Sequence, residues 1–382
     1  MRPGAQGARV IRMTPHVVIA GGGVGALEGL LALQALAGDR VHISVLTATR
    51  HLTYRALSVA EPFGTGPPQR YDWEDITRDR GVRWIPDVVE VVRPDAREVD
   101  TRDGPPVPYD ALLLAVGARP EPALAGAVTF AGPGDVLALK EALEALAPGR
   151  RHRIAFVAMA GTAWTLPLYE LALMTAEHGR RHGLDLAIEL ISRESAPLGI
   201  FGAAASAAVR RRLSDAGIRI RVGTFPTEFA EGRLWLELEG PLDVDLVVAL
   251  PRLRGPQLPG LPHESGGFVP VAAYGRVRGV DRVWAVGDMT TRPLRQGGLA
   301  TQQAEVAAAD IAAQVAGSDV EVPPYQPTLR GMLLTGSEPL YLERDPRAPV
   351  RSTASSERFG RPAQKIAGNR LGPYLESAPT RS

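Results

Sequence analysis

The sequence contains no cysteine. Disulfides, thiolate metal sites, cysteine nucleophiles and dithiol redox relays are therefore excluded from any chemistry this chain performs. An excess of charge is lacking too: 43 Lys and Arg stand against 42 Asp and Glu, a formal net charge of +1. No global field favours nucleic acid, an anionic membrane or an acidic partner. The short basic clusters, "RRHR" at 150–153 and "RRR" at 210–212, read as solvated faces. No apolar run reaches the roughly 20 residues needed to span a bilayer. The first dozen residues carry arginines without an apolar core, so a secretory signal is not expected. Met13, directly before the first strand, is an alternative start. These absences predict a cytoplasmic protein with peripheral membrane contact left open, no transmembrane segment and no nucleic-acid partner.

What is present is an ordinary globular composition, 45% hydrophobic and 22% charged over 382 residues, enough for two domains. "HVVIAGGGVGALEGLLALQAL" reads as a strand, a glycine turn and a helix with a leucine stripe, and "VHISVLT" as a second strand ending at Thr47. "PYDALLLAVGARP" (108–120) is a buried strand that stops at Gly117 and Pro120. A helix follows over 134–149, with Asp135 near its start. From 153 the pattern repeats as strand, loop, helix and the strand "LAIELIS" (186–192). A helix over 203–216 leads to "IRIRV", a hairpin through "FAEGRLWLELEG" and the strand "DLVVAL". Proline-rich chain then runs to "RVWAVGD" and the helix "LATQQAEVAAADIAAQV". After about residue 319 come a hairpin, "RGMLLTGSEPLYL", and a loose tail without an apolar face. The expected fold class is α/β: two Rossmann-like domains, the second inserted into the first, plus a small C-terminal segment. The expected divisions are 14–122 and 253–318 for the first domain, 123–252 for the insert and 319–382 for the remainder.

Gly21, Gly23 and Ala26 fit the G-x-G-x-x-G/A pattern after a strand and at the opening of a helix. The first glycine makes the turn, the second admits a pyrophosphate, and the small third residue lets helix and strand pack closely. A merely tight βα turn would not need Gly21, Gly22, Gly23 and Gly25 together. The pattern also wants an acid at the end of the second strand to hold ribose hydroxyls. That position is Thr47, which offers one weaker, uncharged bond.

Four segments carry a more specific resemblance. "GGGVGALE", "PYDALLLAVGARP", "RVWAVGDMTT" and "QGGLATQQAEVAAADIA" occur in the order of the FAD-dependent pyridine nucleotide–disulfide oxidoreductase superfamily. Residues 14 to about 316 resemble the branch holding sulfide:quinone oxidoreductases and type II NADH dehydrogenases. The resemblance implies FAD as cofactor, with Gly21, Gly23, Gly25 and Ala26 along its pyrophosphate and Gly117 approaching the flavin from a crossing strand. It implies that Asp288 bonds the ribityl region, and that the backbone of Gly298, Leu299 and Thr301 lies at the pyrimidine end of the ring. Reduced flavin is anionic there, and a helix N-terminus favours an anion. Arg295 either strengthens that effect or makes no contact. Tyr54 and Arg55, with Lys365 as a weaker candidate, are implied to lie over the flavin or else to be surface residues.

The second unit is less standard. Its loop, "AGTAWTLPLYELALM", has only Gly161 where a nucleotide-gripping loop needs several glycines, and it resembles the modified loop of sulfide:quinone oxidoreductases. Those enzymes carry a catalytic cysteine there, at the position of Trp164, so cysteine-dependent sulfide oxidation is excluded. Trp164 reads as core packing or as a platform for a ring substrate. Glu170 reads as helix capping or, by resemblance, as a catalytic carboxylate at the flavin edge that passes a proton to a quinone or to reduced flavin. If NAD(P)H binds as co-substrate, its ribose meets Arg193 and Glu194 after "LAIELIS". His178 and His182 have the i, i+4 spacing of a zinc pair without a third ligand, so no metal is expected. The resulting expectation is an FAD oxidoreductase passing electrons from NAD(P)H or a small organic donor to a quinone or soluble acceptor, with a homodimer open. The alternatives are a nucleotide-binding regulatory protein without turnover, or a flavin oxidase with a non-nicotinamide donor.

Overall fold

The computed structural model describes residues 14–378 except 67–68, 238, 320, 323, 345–351, 358–364 and 367. Met13 and the arginine-bearing start lie outside the described residues.

The chain opens with β1 (His16–Ala20), α1 (Val24–Ala37), β2 (His42–Leu46), β3 (Arg83–Ile85) and β4 (Ala111–Leu114). It then builds a second set: β5 (Val128–Thr129), β6 (Arg151–Val157), α2 (Leu166–His182), β7 (Asp185–Ser192), β8 (Arg219–Val222) and β9 (Leu246–Ala249). Only afterwards does β10 (Val283–Ala285) complete the first sheet, whose order is β10-β4-β1-β2-β3, parallel throughout. The second sheet, β5-β9-β6-β7-β8, is also parallel. The strands of the second sheet thus all fall between β4 and β10 in sequence. Both sheets are read from continuous apolar runs such as Val17–Ala20 and Ala111–Leu114, because strands covered on both faces show no alternation.

Helix α3 (Gly297–Val315) packs along α1 over the first sheet. Small residues permit the approach: a side chain on Gly25 would meet Ala300 at 3.7 Å, and one on Gly29 would strike Leu113 at 2.6 Å. The helix is pinned by Asp310, which accepts from the Trp284 indole (2.8 Å) and the Arg276 guanidinium (2.6 and 2.7 Å). The expected hairpin after residue 319 forms as β11 (Leu329–Leu333) against β12 (Leu340–Arg344), and β13 (Ser352–Ser355) adds a third strand. This small sheet presses on the start of α2, where a Cβ on Gly331 would lie 2.7 Å from Leu166.

The tail departs from the expectation of a loose segment. Residues Leu371–Ser377 form α4, with Leu371 and Leu375 buried in the core that α1 contributes to. Glu28, fully buried on α1, accepts the amides of Arg370 (3.0 Å) and Leu371 (2.7 Å) and so caps the helix. The sequence signal was an acid inside an otherwise apolar helix face.

Candidate functional site

The turn after β1 is shaped by backbone alone. Gly21 has φ +134°, and a Cβ there would stand 2.3 Å from the Ala115 carbonyl oxygen, so only glycine fits. A Cβ on Gly22 would meet Thr47 Oγ1 at 2.6 Å. Gly23, the N-cap of α1, faces open space with no atom within 4 Å. Ala26 is fully buried, the packing role expected for the third small residue. Thr47 is buried at the end of β2, its hydroxyl accepting the Thr49 amide (3.2 Å) while its carbonyl accepts the Trp84 indole (3.1 Å). Gly117, just past β4, has φ +74° and likewise faces open space.

Asp288 follows β10. Its carboxylate has no hydrogen-bond partner among the described residues, and burial raises its pKa against the pull of Arg295 and Arg55. A half-buried carboxylate left unpaired at such a place is available to a ligand hydroxyl. Arg295 does make contacts: it donates to the carbonyls of Asp288 (3.2 Å) and Thr290 (3.3 Å) and lies 3.8 Å from the Phe268 ring centre. Arg55 is exposed.

At the N-terminus of α3, Gln296 caps the Leu299 amide through Oε1 (2.9 Å), and its carbonyl also takes the Ala300 amide (3.0 Å). Leu299 and Thr301 are buried, with the Thr301 hydroxyl donating to the Gly298 carbonyl (2.9 Å). Among the described residues the amides of Gly297 and Gly298 take part in no hydrogen bond, so the open donors are the expected Gly298 and its neighbour Gly297, while the Leu299 amide is taken by Gln296.

Glycine turn, unpaired carboxylate and open helix end fit FAD: a close backbone approach for pyrophosphate, an acceptor for a hydroxyl-bearing chain and donors for an electron-rich ring edge.

Glu170 and Lys365, the carboxylate candidate and the weaker candidate from the tail, meet. Glu170 is fully buried; Oε1 accepts the Leu334 amide (2.9 Å), and the Lys365 ammonium lies 2.7 Å from both carboxylate oxygens. Lys365 also donates to the Ala56 carbonyl (2.7 Å), and buried Tyr54 accepts the Ile366 amide through its hydroxyl. Four segments distant in sequence are joined at this point. Burial pushes the Glu170 pKa up and the Lys365 pKa down, while each charge opposes the other's shift. The two affinities for the proton are thereby brought towards each other.

The loop after β6 contrasts with the first turn. Trp164 is half-buried and edge-on to Phe201 at 5.8 Å, a packing contact with the second core. Glu194 accepts from the hydroxyls of Thr165 (3.0 Å), Tyr169 (2.6 Å) and Ser192 (3.0 Å). Nothing in the sequence indicated that turn inward. Arg193 is exposed and lies over the Phe225 ring at 4.6 Å. The His178 and His182 rings stack at 4.1 Å, and no group of three His, Cys, Asp or Glu suited to a metal occurs among the described residues. No helix among the described residues is long and apolar enough to cross a membrane.

The fold is shared with solved structures. The sulfide:quinone oxidoreductase of the hyperthermophilic bacterium Aquifex aeolicus superposes with a TM-score of 0.80 at 18% identity, over 89% of this chain and 86% of that one. NDH2 of Plasmodium falciparum, solved in complex with NADH, gives 0.69 at 12% identity, over 95% and 93%. A ferredoxin reductase of Rhodopseudomonas palustris, for the CYP199A2 system, gives 0.67 at 20% identity, over 87% and 82%. At such identities the likeness is one of fold. A family model, however, matches residues 15–310, most of the chain, and on that ground this protein belongs to the pyridine nucleotide-disulphide oxidoreductase family of FAD-dependent oxidoreductases.

Proposed function

We propose that this chain passes electrons from NAD(P)H or a small organic donor to a quinone or soluble acceptor without any thiol step. When bound, FAD supplies the redox chemistry, taking up and releasing the electrons. In this reading residues 14–122 and 253–318 hold the cofactor and 123–252 present the donor face. Gly21 and Gly23 keep side chains out of the pyrophosphate's path. Asp288 would accept from a hydroxyl of the cofactor chain, and the Gly297 and Gly298 amides would supply donors to the electron-rich edge of the ring.

The observation that carries the catalytic part is the Glu170–Lys365 pair, sealed from water yet with its proton affinities drawn together. In this reading the pair holds a proton at Lys365 Nζ and passes it on through Glu170. Quinone reduction consumes protons, and a buried relay serves that need. Catalysis then rests on placing donor and acceptor beside the cofactor and on charge stabilisation.

The test is an anaerobic titration of the purified protein with NADH and NADPH, following the visible flavin band. Bleaching that reverses on adding a quinone supports the reading. A yellow protein that neither nucleotide bleaches supports a flavin oxidase with a non-nicotinamide donor, the reading that the inward-turned Glu194 favours. A colourless protein that cannot be loaded with FAD would overturn both.

A further inference from the structure

Gly297, the first residue of α3, makes room for a residue far along the chain. A Cβ there would stand 2.8 Å from the Cδ1 of Ile366 and 3.2 Å from its Cγ1. Two residues on, a Cβ at Gly368 would lie 2.7 Å from a Glu28 carboxylate oxygen and 3.3 Å from the Thr301 Cβ. The tail therefore runs along the first turn of α3, past the amides of Gly297 and Gly298 that no described residue bonds. It is tied down from several sides. Lys365 is held by the Ala56 carbonyl and Glu170, and the Ile366 amide donates to the Tyr54 hydroxyl. Glu28 accepts the amides of Arg370 and Leu371, while Asn369 and Arg370 donate to Glu305 on α3 itself at 2.6 and 2.9 Å. Ile366 is left only 6% exposed, in the core that Tyr54 and Leu371 share. An apolar side chain held beside open amides keeps water from them, and amides shielded from water bond an electron-rich partner more strongly.

We infer that Ile366 is a wall of the cofactor site at the open end of α3 and retains bound FAD, with Tyr54 and Glu28 as positioning residues that hold it there through the tail backbone. The inference rests on the reading that the Gly297 and Gly298 amides serve the ring, and it adds to that site a stretch of chain beyond residue 318. Tyr54 then acts through the Ile366 amide, without lying over the ring itself. Tail and cofactor also stabilise each other, because each completes the other's burial and such coupling is reciprocal.

The experiment follows FAD release from the flavin-loaded protein, read as the rise of free-flavin fluorescence after dilution, beside the shape of the visible band and the melting temperature. Ile366→Ala is expected to release FAD about tenfold faster than wild type and to smooth the fine structure of the band, as water reaches the ring edge. Tyr54→Phe keeps the aromatic ring and removes the acceptor of the Ile366 amide, and is expected to release FAD about threefold faster. Ile366→Val, which keeps most of the wall, is expected to stay within about twofold of wild type. A residue that only fills the core would lower the melting temperature and leave release and band unchanged. Wild-type release and band in both Ile366→Ala and Tyr54→Phe overturn the inference, and Tyr54→Phe alone decides if Ile366→Ala does not fold. Failure of the cofactor reading is a different result: a wild-type protein that is colourless and cannot be loaded.

Discussion

The two βα turns of this protein follow the central strands of their sheets and end in opposite states. Around the turn after β1, polar groups are left free among the described residues: Asp288 unpaired, the Gly297 and Gly298 amides open and the space before Gly23 clear. Around the turn after β6, polar groups are consumed by one another, with three hydroxyls on Glu194 and Trp164 laid against Phe201. A buried polar group is costly unless something satisfies it, so free groups mark where a ligand belongs and satisfied groups mark where one must compete. The difference teaches that equivalent positions on a repeated motif need not keep equivalent duties.

The sharpest way to break the comparison is to put a methyl group in each turn. Gly21→Ala drives a Cβ into the Ala115 carbonyl and is expected to cost about 4 kcal/mol or more with complete loss of FAD, read from melting temperature and flavin absorbance. Next in size is the buried pair. Glu170→Gln leaves the Lys365 charge uncompensated and is expected to cost about 3 kcal/mol, lower quinone-linked turnover about a hundredfold and alter its pH profile. Combining it with Lys365→Met should recover most of the stability and none of the turnover. A pair that is only structural would recover both.

Glu28 offers a test at the tail. Burial raises its pKa from 4.5 to about 7, against the two amides it accepts. A raised carboxyl contributes stability that is fully present below pH 4.5 and is lost as pH rises through about 7, because the folded protein keeps the proton longer than the unfolded chain. Stability should therefore fall by up to roughly 3 kcal/mol across that window, and Glu28→Gln should flatten the fall, measured as denaturant midpoint against pH. The smallest effect belongs to the second turn. Gly161 has φ +85° but no atom within 4 Å of a Cβ, so Gly161→Ala should cost only about 1 kcal/mol and leave FAD content unchanged. A loss of flavin there would erase the contrast between the turns.

What could be read in the sequence was what is local. Apolar runs such as Val17–Ala20 and Ile154–Val157 specify buried strands, clustered glycines specify a turn that tolerates no side chain, and the absence of cysteine excludes a whole chemistry. Those features depend on neighbours a few residues away, and so they identified the α/β class and the first glycine turn. The site's side-chain pairings are of another kind. Glu170 meets Lys365 across 195 positions, and Glu28 meets Leu371 across 343. In the chain these are isolated charges, each as well suited to the surface as to a core. Glu194 shows the same limit at shorter range, since a carboxylate at a strand end can face a ribose or turn onto hydroxyls. The sequence by itself determined the sheets, the first turn and the exclusion of thiol chemistry. Only the tertiary structure decided which carboxylates were buried, which found a partner and which were left free, because desolvation is a property of the packed surroundings and not of the residue.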